Sequence, residues 1–168
     1  MNFCIYNQQE ILSNIQLTNY LIDTIIENLS YIYGNDMESE ENRNAWIDNT
    51  LRTEDATWRV IIANQNAVNI GFIVYSVKSR SLSVNEIEID KEHRLNPALI
   101  SGLFCTLFKN ESKNFDTISG YINKKNKVSQ HNFLKFATTI TERPNGYSFI
   151  IDKPATDKIK AKIKRWER

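Results

Sequence analysis

The spacing of apolar residues along the first third of the chain predicts one strand followed by two helices. Phe3 and Ile5 alternate with their neighbours, as in a short strand. The period then lengthens to that of an amphipathic helix, whose apolar positions are Leu17, Leu21, Ile25, Leu29 and Ile32. Ser13 and Gln16 have the spacing of a capping box at the start of this helix. Residues 36–55 place acidic residues before an apolar stretch, which predicts a second helix.

The middle of the chain has the pattern of consecutive strands. β-branched and aromatic residues fill residues 58–63 and 67–77, and a polar turn separates them, so we predict a hairpin. Residues 82–90 form a third strand, in which isoleucines alternate with Glu86, Glu88 and Asp90. One face of that strand is therefore predicted to be acidic.

The C-terminal half alternates helices and strands. Asn96 followed by Pro97 is typical of a helix start, and apolar residues at helical spacing extend this helix to Phe108. Strands are predicted over residues 117–122, 138–141 and 147–152, with a short helix over residues 129–136. Residues 153–168, the C-terminal tail, have helical spacing, although residues 158–164 also alternate as in a strand. Helix is the favoured interpretation.

Composition limits the class of protein. A chain of 168 residues with 41% hydrophobic and 24% charged residues is typical of one globular domain, which we place over residues 1–152. Nothing approaches about 18 consecutive apolar residues, and the N-terminus lacks a signal-peptide pattern, so we expect a cytoplasmic protein without a membrane span. Cys4 and Cys105 are expected to be reduced core thiols. With two histidines in the chain, a metal site is not expected.

The net charge of +1 hides a segregation of charge along the chain. Residues 1–57 carry ten acidic and two basic residues, residues 58–157 carry nine and thirteen, and residues 158–168 carry one and six. The surface that attracts anions should therefore lie in the C-terminal two-thirds. A phosphorylated cofactor, an acidic protein or a nucleic acid would suit it, and a solvated surface without a partner is the open alternative.

Two segments carry a resemblance to a known family. One is Asn126-Lys-Val-Ser-Gln-His-Asn-Phe133, with Ala137-Thr138 after it, and the other is the acidic strand that continues through Arg94 into the helix at Pro97. In these spacings and in the order of elements, the chain resembles the Gcn5-related N-acetyltransferases, the GNAT superfamily, over residues 1–152. The resemblance implies an α/β fold with a central mixed sheet of about six to seven strands flanked by helices.

The resemblance also implies an acyltransferase that moves an acetyl group from acetyl-CoA to an amine of a small molecule or a peptide. Glu86 or Glu88 would act as the base, directly or through water. The residues implied at the cofactor are Ile89, Arg94, Ala98, Leu99, Ile100, Asn126, Lys127 and Phe133. Among them, the amides of Ala98, Leu99 and Ile100 would meet the pyrophosphate at a helix N-terminus. Glu86 and Glu88 could also be no more than the solvated face of a strand.

The family's motifs are degenerate in this chain. The glycines of the pyrophosphate loop are replaced, Pro97 has no N–H, and the bulk of Leu99 is expected to narrow access. Phe133 stands where the family has a proton-donating tyrosine, so a water, Ser129 or Tyr121 would have to substitute. These departures support an alternative, in which a domain without catalysis binds a protein or a nucleic acid. The basic residues of the tail that could contact phosphates are Lys158, Lys160, Lys162, Lys164 and Arg165.

Overall fold

The computed structural model describes residues 1–33, 41, 44 and 58–166. The helix predicted over residues 36–55 lies outside these residues except at two positions. In chain order the elements are β1 (Asn2–Asn7), α1 (Gln8–Leu12), α2 (Ile15–Tyr33), β2 (Trp58–Gln65), β3 (Val68–Lys78), β4 (Ser81–Ile89), a short 3-10 helix (Lys91–His93), α3 (Pro97–Glu111), β5 (Thr117–Asn123), α4 (Lys127–Phe133), a second 3-10 helix (Leu134–Phe136), β6 (Thr139–Arg143), β7 (Gly146–Ile151) and α5 (Lys153–Trp166).

The strands form one mixed sheet in the order β1-β2-β3-β4-β5-β7-β6. β1 pairs with β2 in the antiparallel sense, and β7 pairs in the same sense with β5 and β6. β4 and β5 are parallel, and their register runs from Ser81 opposite Thr117 to Val84 opposite Gly120. The sequence prediction of a central mixed sheet of about six to seven strands flanked by helices is confirmed.

Two tight turns connect β2 to β3 and β3 to β4. Asn66 and Ala67 in the first turn, and Ser79 and Arg80 in the second, all have φ between 49° and 64°. Positive φ at both central residues is the signature of the type I′ turn, whose twist matches that of the flanking strands. Only one of these four residues, Asn66, is of a type that tolerates the conformation well, so both turns carry strain.

The contacts of the chain divide it into two compact units, one formed by Met1–Val74 and Glu86–Leu103 and the other by Tyr75–Asn85 and Phe104–Arg168. In the first unit, α2 buries its apolar stripe against β2 and β3, as the periodicity predicted. The core of this unit consists of Ile11, Leu21, Ile22, Ile25, Ile26, Trp58, Val60, Ile62, Phe72 and Val74. The predicted boundary of a single domain at residue 152 stays a prediction.

The capping box predicted at Ser13 and Gln16 is wrong. The N-cap of α2 is Asn14, one residue after Ser13, and the capping box of this region lies on the preceding helix, α1. Asn7 and Glu10 form a capping box on α1, with distances of 3.0 Å from the Glu10 amide to Asn7 Oδ1 and 2.7 Å from the Asn7 amide to Glu10 Oε2. Asn14 Oδ1 then accepts from the amides of Gln16 and Leu17, each at 3.2 Å, and starts α2. The chain therefore makes a short extra helix before the long one.

The second unit packs an aromatic core and holds the tail. Phe108 and Phe115 meet edge to face with ring centroids 5.5 Å apart, and both are buried. The tail forms α5, in which Thr156 and Ile163 are buried. Among the basic residues proposed for nucleic-acid contact, Lys160 is already engaged, because its ammonium donates to the carbonyls of Ser112, at 2.7 Å, and Phe115.

None of the described helices combines the length and apolar character needed to cross a membrane. The expectation of two core thiols is wrong for Cys4, whose side chain is exposed on the edge strand β1, whereas Cys105 is half-buried. The exposure of β1 does not alternate, because Cys4 and Ile5 are both exposed between the half-buried Phe3 and Tyr6.

Candidate active site

The acidic face of β4 lies within the first unit, where α2 covers it. Glu86, Glu88 and Asp90 are half-buried, so they are not the solvated strand face that the sequence also allowed. Gly71 on β3 lies close to β4, since a Cβ at this position would be 3.0 Å from the Glu88 carbonyl oxygen. The backbone that carries the two glutamates is therefore packed tightly from the side of β3.

A polar stripe on α2 meets these acids and was missed in the sequence. Asn28 Nδ2 donates to Glu88 Oε2 and, at 3.5 Å, to the carbonyl oxygen of Ile89. Tyr20 donates its hydroxyl to Asp90 Oδ1 at 2.9 Å. Tyr20 and Asn28 are eight residues apart, with the buried Thr24 midway between them, so they lie on one face of α2. Polar residues at helical spacing beside a buried apolar stripe were the signal that could have revealed them.

The Arg94 side chain turns back towards this stripe. Its Nη2 atom donates to Asn28 Oδ1, and its Nε atom lies 3.5 Å from the Ile89 carbonyl oxygen. Ile89 itself is buried, and its carbonyl accepts from both Asn28 and Arg94. The guanidinium predicted to contact a cofactor thus lies in a hydrogen-bonded network with Asn28.

Burial changes the acidity of all three acids. It raises the pKa of Glu86 to about 8, and the nearby negative charge of Glu88 adds to the effect. Burial also raises the pKa of Glu88, to about 7, although the Asn28 amide and the Arg94 charge oppose it. The pKa of Asp90 is raised by burial as well, against the hydrogen bond from Tyr20. Near neutral pH, Glu88 therefore exchanges its proton readily, as a general base or acid requires.

The N-terminus of α3 is the predicted pyrophosphate site. The Ala98 amide donates to Asn96 Oδ1 at 3.1 Å, and the Leu99 amide donates to the Asn96 carbonyl at 3.2 Å. Both donors are thus satisfied by the cap of the helix. The expectation that Leu99 narrows access is wrong, because its side chain is fully buried in the core. The other residues of this first turn, Pro97, Ala98 and Ile100, are exposed.

The remaining predicted cofactor residues lie in the second unit, around α4. Asn126 caps α4, since its Oδ1 accepts from the Ser129 amide at 3.0 Å. Lys127, the first residue of α4, is exposed. Phe133 at the end of α4 is half-buried between two aromatic rings, with centroid distances of 6.1 Å to Phe104 and 6.4 Å to Phe149. Its ring belongs to an aromatic cluster of this unit.

The lysine-rich loop before α4 is partly neutralised by the protein itself. Lys124 forms an ion pair with Glu142 at 2.6 Å, and its ammonium lies 5.8 Å from the centre of the Tyr147 ring. The Gln130 side chain donates to the backbone carbonyls of Asn123 and Lys124 and so fixes the loop. Lys127 is thus the more accessible of these two lysines for an external phosphate.

The sequence matches no family model and none of the curated proteins. Solved structures are similar in fold. The PaiA N-acetyltransferase of Thermoplasma acidophilum, in complex with coenzyme A, is 15% identical with a TM-score of 0.64, over 90% of this chain and 99% of that one. Gcn5 of Tetrahymena is 12% identical with a TM-score of 0.60, over 91% and 96%. A GNAT-family acetyltransferase of Staphylococcus aureus Mu50 is 16% identical with a TM-score of 0.61, over 90% and 99%.

This chain has the GNAT fold. Of the residues that the resemblance implied, the first unit brings together Glu86, Glu88, Ile89 and Arg94, and it adds Asn28 and Tyr20 to them. The roles assigned to the implied residues stay predictions. In this GNAT fold the two glutamates are distinguished by their neighbours, because hydrogen bonds reach Glu88 whereas, among the described residues, none reaches the Glu86 carboxyl.

Proposed function

We propose that the protein is an N-acetyltransferase that transfers the acetyl group of acetyl-CoA to an amine. The observation that carries the proposal is the Glu88 carboxyl, which is half-buried on β4 and has a pKa near neutrality. A general base works best when its pKa lies near the working pH. The GNAT fold, which the chain shares with acetyltransferases, supports the same reaction class.

The acceptor amine is protonated near neutral pH and must lose a proton before it can attack. Glu88 would take that proton, directly or through one water, and the freed nitrogen lone pair would form the new C–N bond as the C–S bond breaks. Glu86 has the higher pKa, so it is mostly protonated at pH 7 and suits a role next to the base rather than as the base.

The acceptor should be cationic, because the site presents acidic side chains to it. A small-molecule amine and a peptide amine both have the required ammonium group, and ionised Glu88 would attract either one. The proposal therefore covers both and is tested with both.

The N-terminus of α3 could bind a pyrophosphate if the phosphate replaced the Asn96 side chain as the acceptor of the Ala98 amide. The amides of Ala98 and Leu99 point along the helix start, but the Asn96 side chain occupies the first of them. Acetyl-CoA, when bound, would supply the activated acetyl thioester. The Ala98 amide would hold its phosphates once the Asn96 side chain turns away.

The leaving thiolate needs a proton, and Phe133 has none to give. Tyr121 on β5 has a phenol, and its side chain is 51% exposed. Ser129 in the first turn of α4 has a hydroxyl and is half-buried. A water, Ser129 or Tyr121 therefore stays the predicted proton donor.

The test is calorimetric titration of the protein with acetyl-CoA, in the wild type and in Asn96→Gly. Glycine keeps the N-cap backbone at little cost and frees the Ala98 amide. We expect a micromolar Kd, about −8 kcal/mol, and about threefold to tenfold tighter binding by Asn96→Gly. The matched control is Asn7→Gly, which removes the cap of α1 instead and should leave the Kd unchanged.

Acetyl transfer is then measured by release of free thiol with a panel of small amines and peptides. No binding heat at millimolar acetyl-CoA in either protein would reject the proposal. It would favour the alternative, a GNAT-fold domain without catalysis that binds a protein or a nucleic acid.

A further inference from the structure

We propose that Asn28 is a positioning residue that orients the Glu88 carboxylate, and that Arg94 holds Asn28 in place. The inference rests on the proposed function, because it concerns the base of that reaction. Its basis is a continuous set of hydrogen bonds from Arg94 to Asn28 and from Asn28 to Glu88, all within the first unit.

Arg94 fixes which way the Asn28 amide faces. A guanidinium has only donors, so the group of Asn28 that meets Arg94 Nη2 must be its acceptor, Oδ1. The amide nitrogen Nδ2 is then forced to the opposite side, where it donates to Glu88 Oε2 and to the Ile89 carbonyl. Flipping the amide would place a donor against a donor and an acceptor against an acceptor. The orientation therefore follows from the chemistry of the partners.

The same contacts settle which oxygen of Glu88 is available. Asn28 occupies Oε2, and among the described residues no donor reaches the other oxygen, Oε1. Oε1 is therefore the atom that would take the proton from an acceptor amine or from a water. The backbone around it is fixed, because both Asn28 and Arg94 also reach the Ile89 carbonyl, each at 3.5 Å.

Among the described residues, the titratable and charged groups near Glu88 are Arg94, the other two acids of this face, Glu86 and Asp90, and Tyr20 on α2. Burial favours the protonated carboxyl, whereas the Asn28 amide and the Arg94 charge favour the carboxylate. Losing the Asn28 amide should therefore raise the pKa of Glu88. The base would then be ionised only at higher pH.

The experiment follows the titration of the Glu88 side-chain carbon by NMR in the protein alone. Asn28→Ala should raise the pKa of Glu88 by about one unit. Asn28→Asp, which preserves size but adds a like charge, should raise it further, and it serves if the alanine variant folds poorly. Arg94→Met should raise it in the same direction. The control is Ser30→Ala on the same helix, because the buried Ser30 hydroxyl has no hydrogen-bond partner among the described residues and its loss should change nothing.

The pH profile of kcat/KM supplies the second measurement. A rise of the base pKa from about 7 to about 8 lowers the ionised fraction at pH 7 about fivefold, and the difference nearly vanishes by pH 9. Asn28→Ala should therefore lose activity at pH 7 and recover it at pH 9. A merely structural role would lower activity equally at both pH values and would contradict the inference.

The two proposals fail in different ways. An unchanged Glu88 titration in both Asn28 variants would overturn the positioning role, whatever the activity. A shifted titration without acetyl transfer to any amine by the wild type would support the hydrogen-bond chain and reject the proposed function instead.

Discussion

Glu86 and Glu88 are separated by one residue on β4, yet their surroundings differ. Glu88 receives a hydrogen bond from α2, whereas Glu86 is affected mainly by burial and by its neighbour's charge. Two carboxyls this close cannot both ionise easily, so their protons leave in sequence as the pH rises. Glu88, with the lower pKa, is the first to ionise and becomes the carboxylate available near neutral pH.

Replacing Glu86 by glutamine should stabilise the protein in a pH-dependent manner. The pKa of Glu86 is raised from 4.5 to about 8 in the folded state, so the stability it allows is fully present below pH 4.5 and is lost as the pH rises through 8. Glutamine stays neutral throughout. We expect equal free energies of unfolding at pH 4.5 and a gain of up to about 5 kcal/mol for Glu86→Gln at pH 9, because each unit of pKa shift corresponds to about 1.4 kcal/mol.

Urea unfolding at the two pH values measures this difference. The control is Glu142→Gln, because that side chain is exposed on β6 and should not produce a gain that grows with pH. If the stability difference between Glu86→Gln and the wild type were the same at both pH values, Glu86 would not be a buried acid with a raised pKa.

The sequence could predict the residues of β4 but not their partners. Alternation with isoleucines placed Glu86 and Glu88 on one face, and this depends only on the strand period. Asn28 was missed because it is polar within an amphipathic helix, where the default expectation is a solvated position. Its contact with Glu88 joins residues 60 positions apart, and no local pattern encodes such a contact.

At the scale of elements, the hairpin between β2 and β3 stores strain in its turn. Ala67 has φ of 64°, in the left-handed region where a Cβ is disfavoured. Asn66 beside it tolerates this region. Type I′ turns favour Asn-Gly, so Asn66 matches the preferred sequence and Ala67 stands where glycine is preferred. Ala67 is exposed, so its methyl group contributes no packing.

Ala67→Gly should therefore stabilise the protein by about 1 kcal/mol. The relief of strain exceeds the entropy that glycine adds to the unfolded chain. Urea unfolding at pH 7 measures the gain, and Ala67→Ser is the control because serine keeps the Cβ and the strain. Equal stability of the glycine and serine variants would contradict the strained turn.

The second turn compensates for the same strain by contacts. Arg80 has φ of 62°, and its guanidinium binds both carboxylate oxygens of Asp116, at 2.6 and 3.1 Å. The Asp116 amide also donates to the Arg80 carbonyl at 2.7 Å. The sequence predicted neither the turn type nor the ion pair. Ser79-Arg80 is not a typical turn sequence, and Asp116, the partner of Arg80, lies 36 residues away.

At the scale of the whole molecule, the order of elements was enough to predict the fold. Helical and strand periods alternate along the chain in the order of the GNAT fold, and burial imposes those periods whatever the individual residues are. The motif residues, by contrast, have diverged, and their chemistry depends on hydrogen bonds that form only in three dimensions. Asn96 illustrates this, because its sequence position predicts a cap but not that the cap occupies the Ala98 amide.

The roles of the lysines in the tail also depend on the whole molecule, because these lysines differ only in their tertiary contacts. Lys160 caps the end of α3 through the Ser112 carbonyl, and its ammonium lies 4.1 Å from the centre of the Phe115 ring. Lys158, two residues earlier on α5, is exposed. The sequence pattern does not distinguish the two lysines. In the structure, the contacts of Lys160 stabilise the fold, whereas Lys158 lies in solvent.

Lys160→Met should lower the free energy of unfolding by about 1 to 3 kcal/mol, because methionine keeps the aliphatic contact but leaves two backbone carbonyls without their charged donor. For a chain of this size each kcal/mol corresponds to a Tm change of about 2 to 4 °C. Lys158→Met is the matched control and should leave the Tm unchanged. Thermal unfolding followed by circular dichroism measures both variants. Equal Tm values for the two would mean that α5 is not anchored through Lys160, and the tail's lysines would again be equivalent candidates for an external anion.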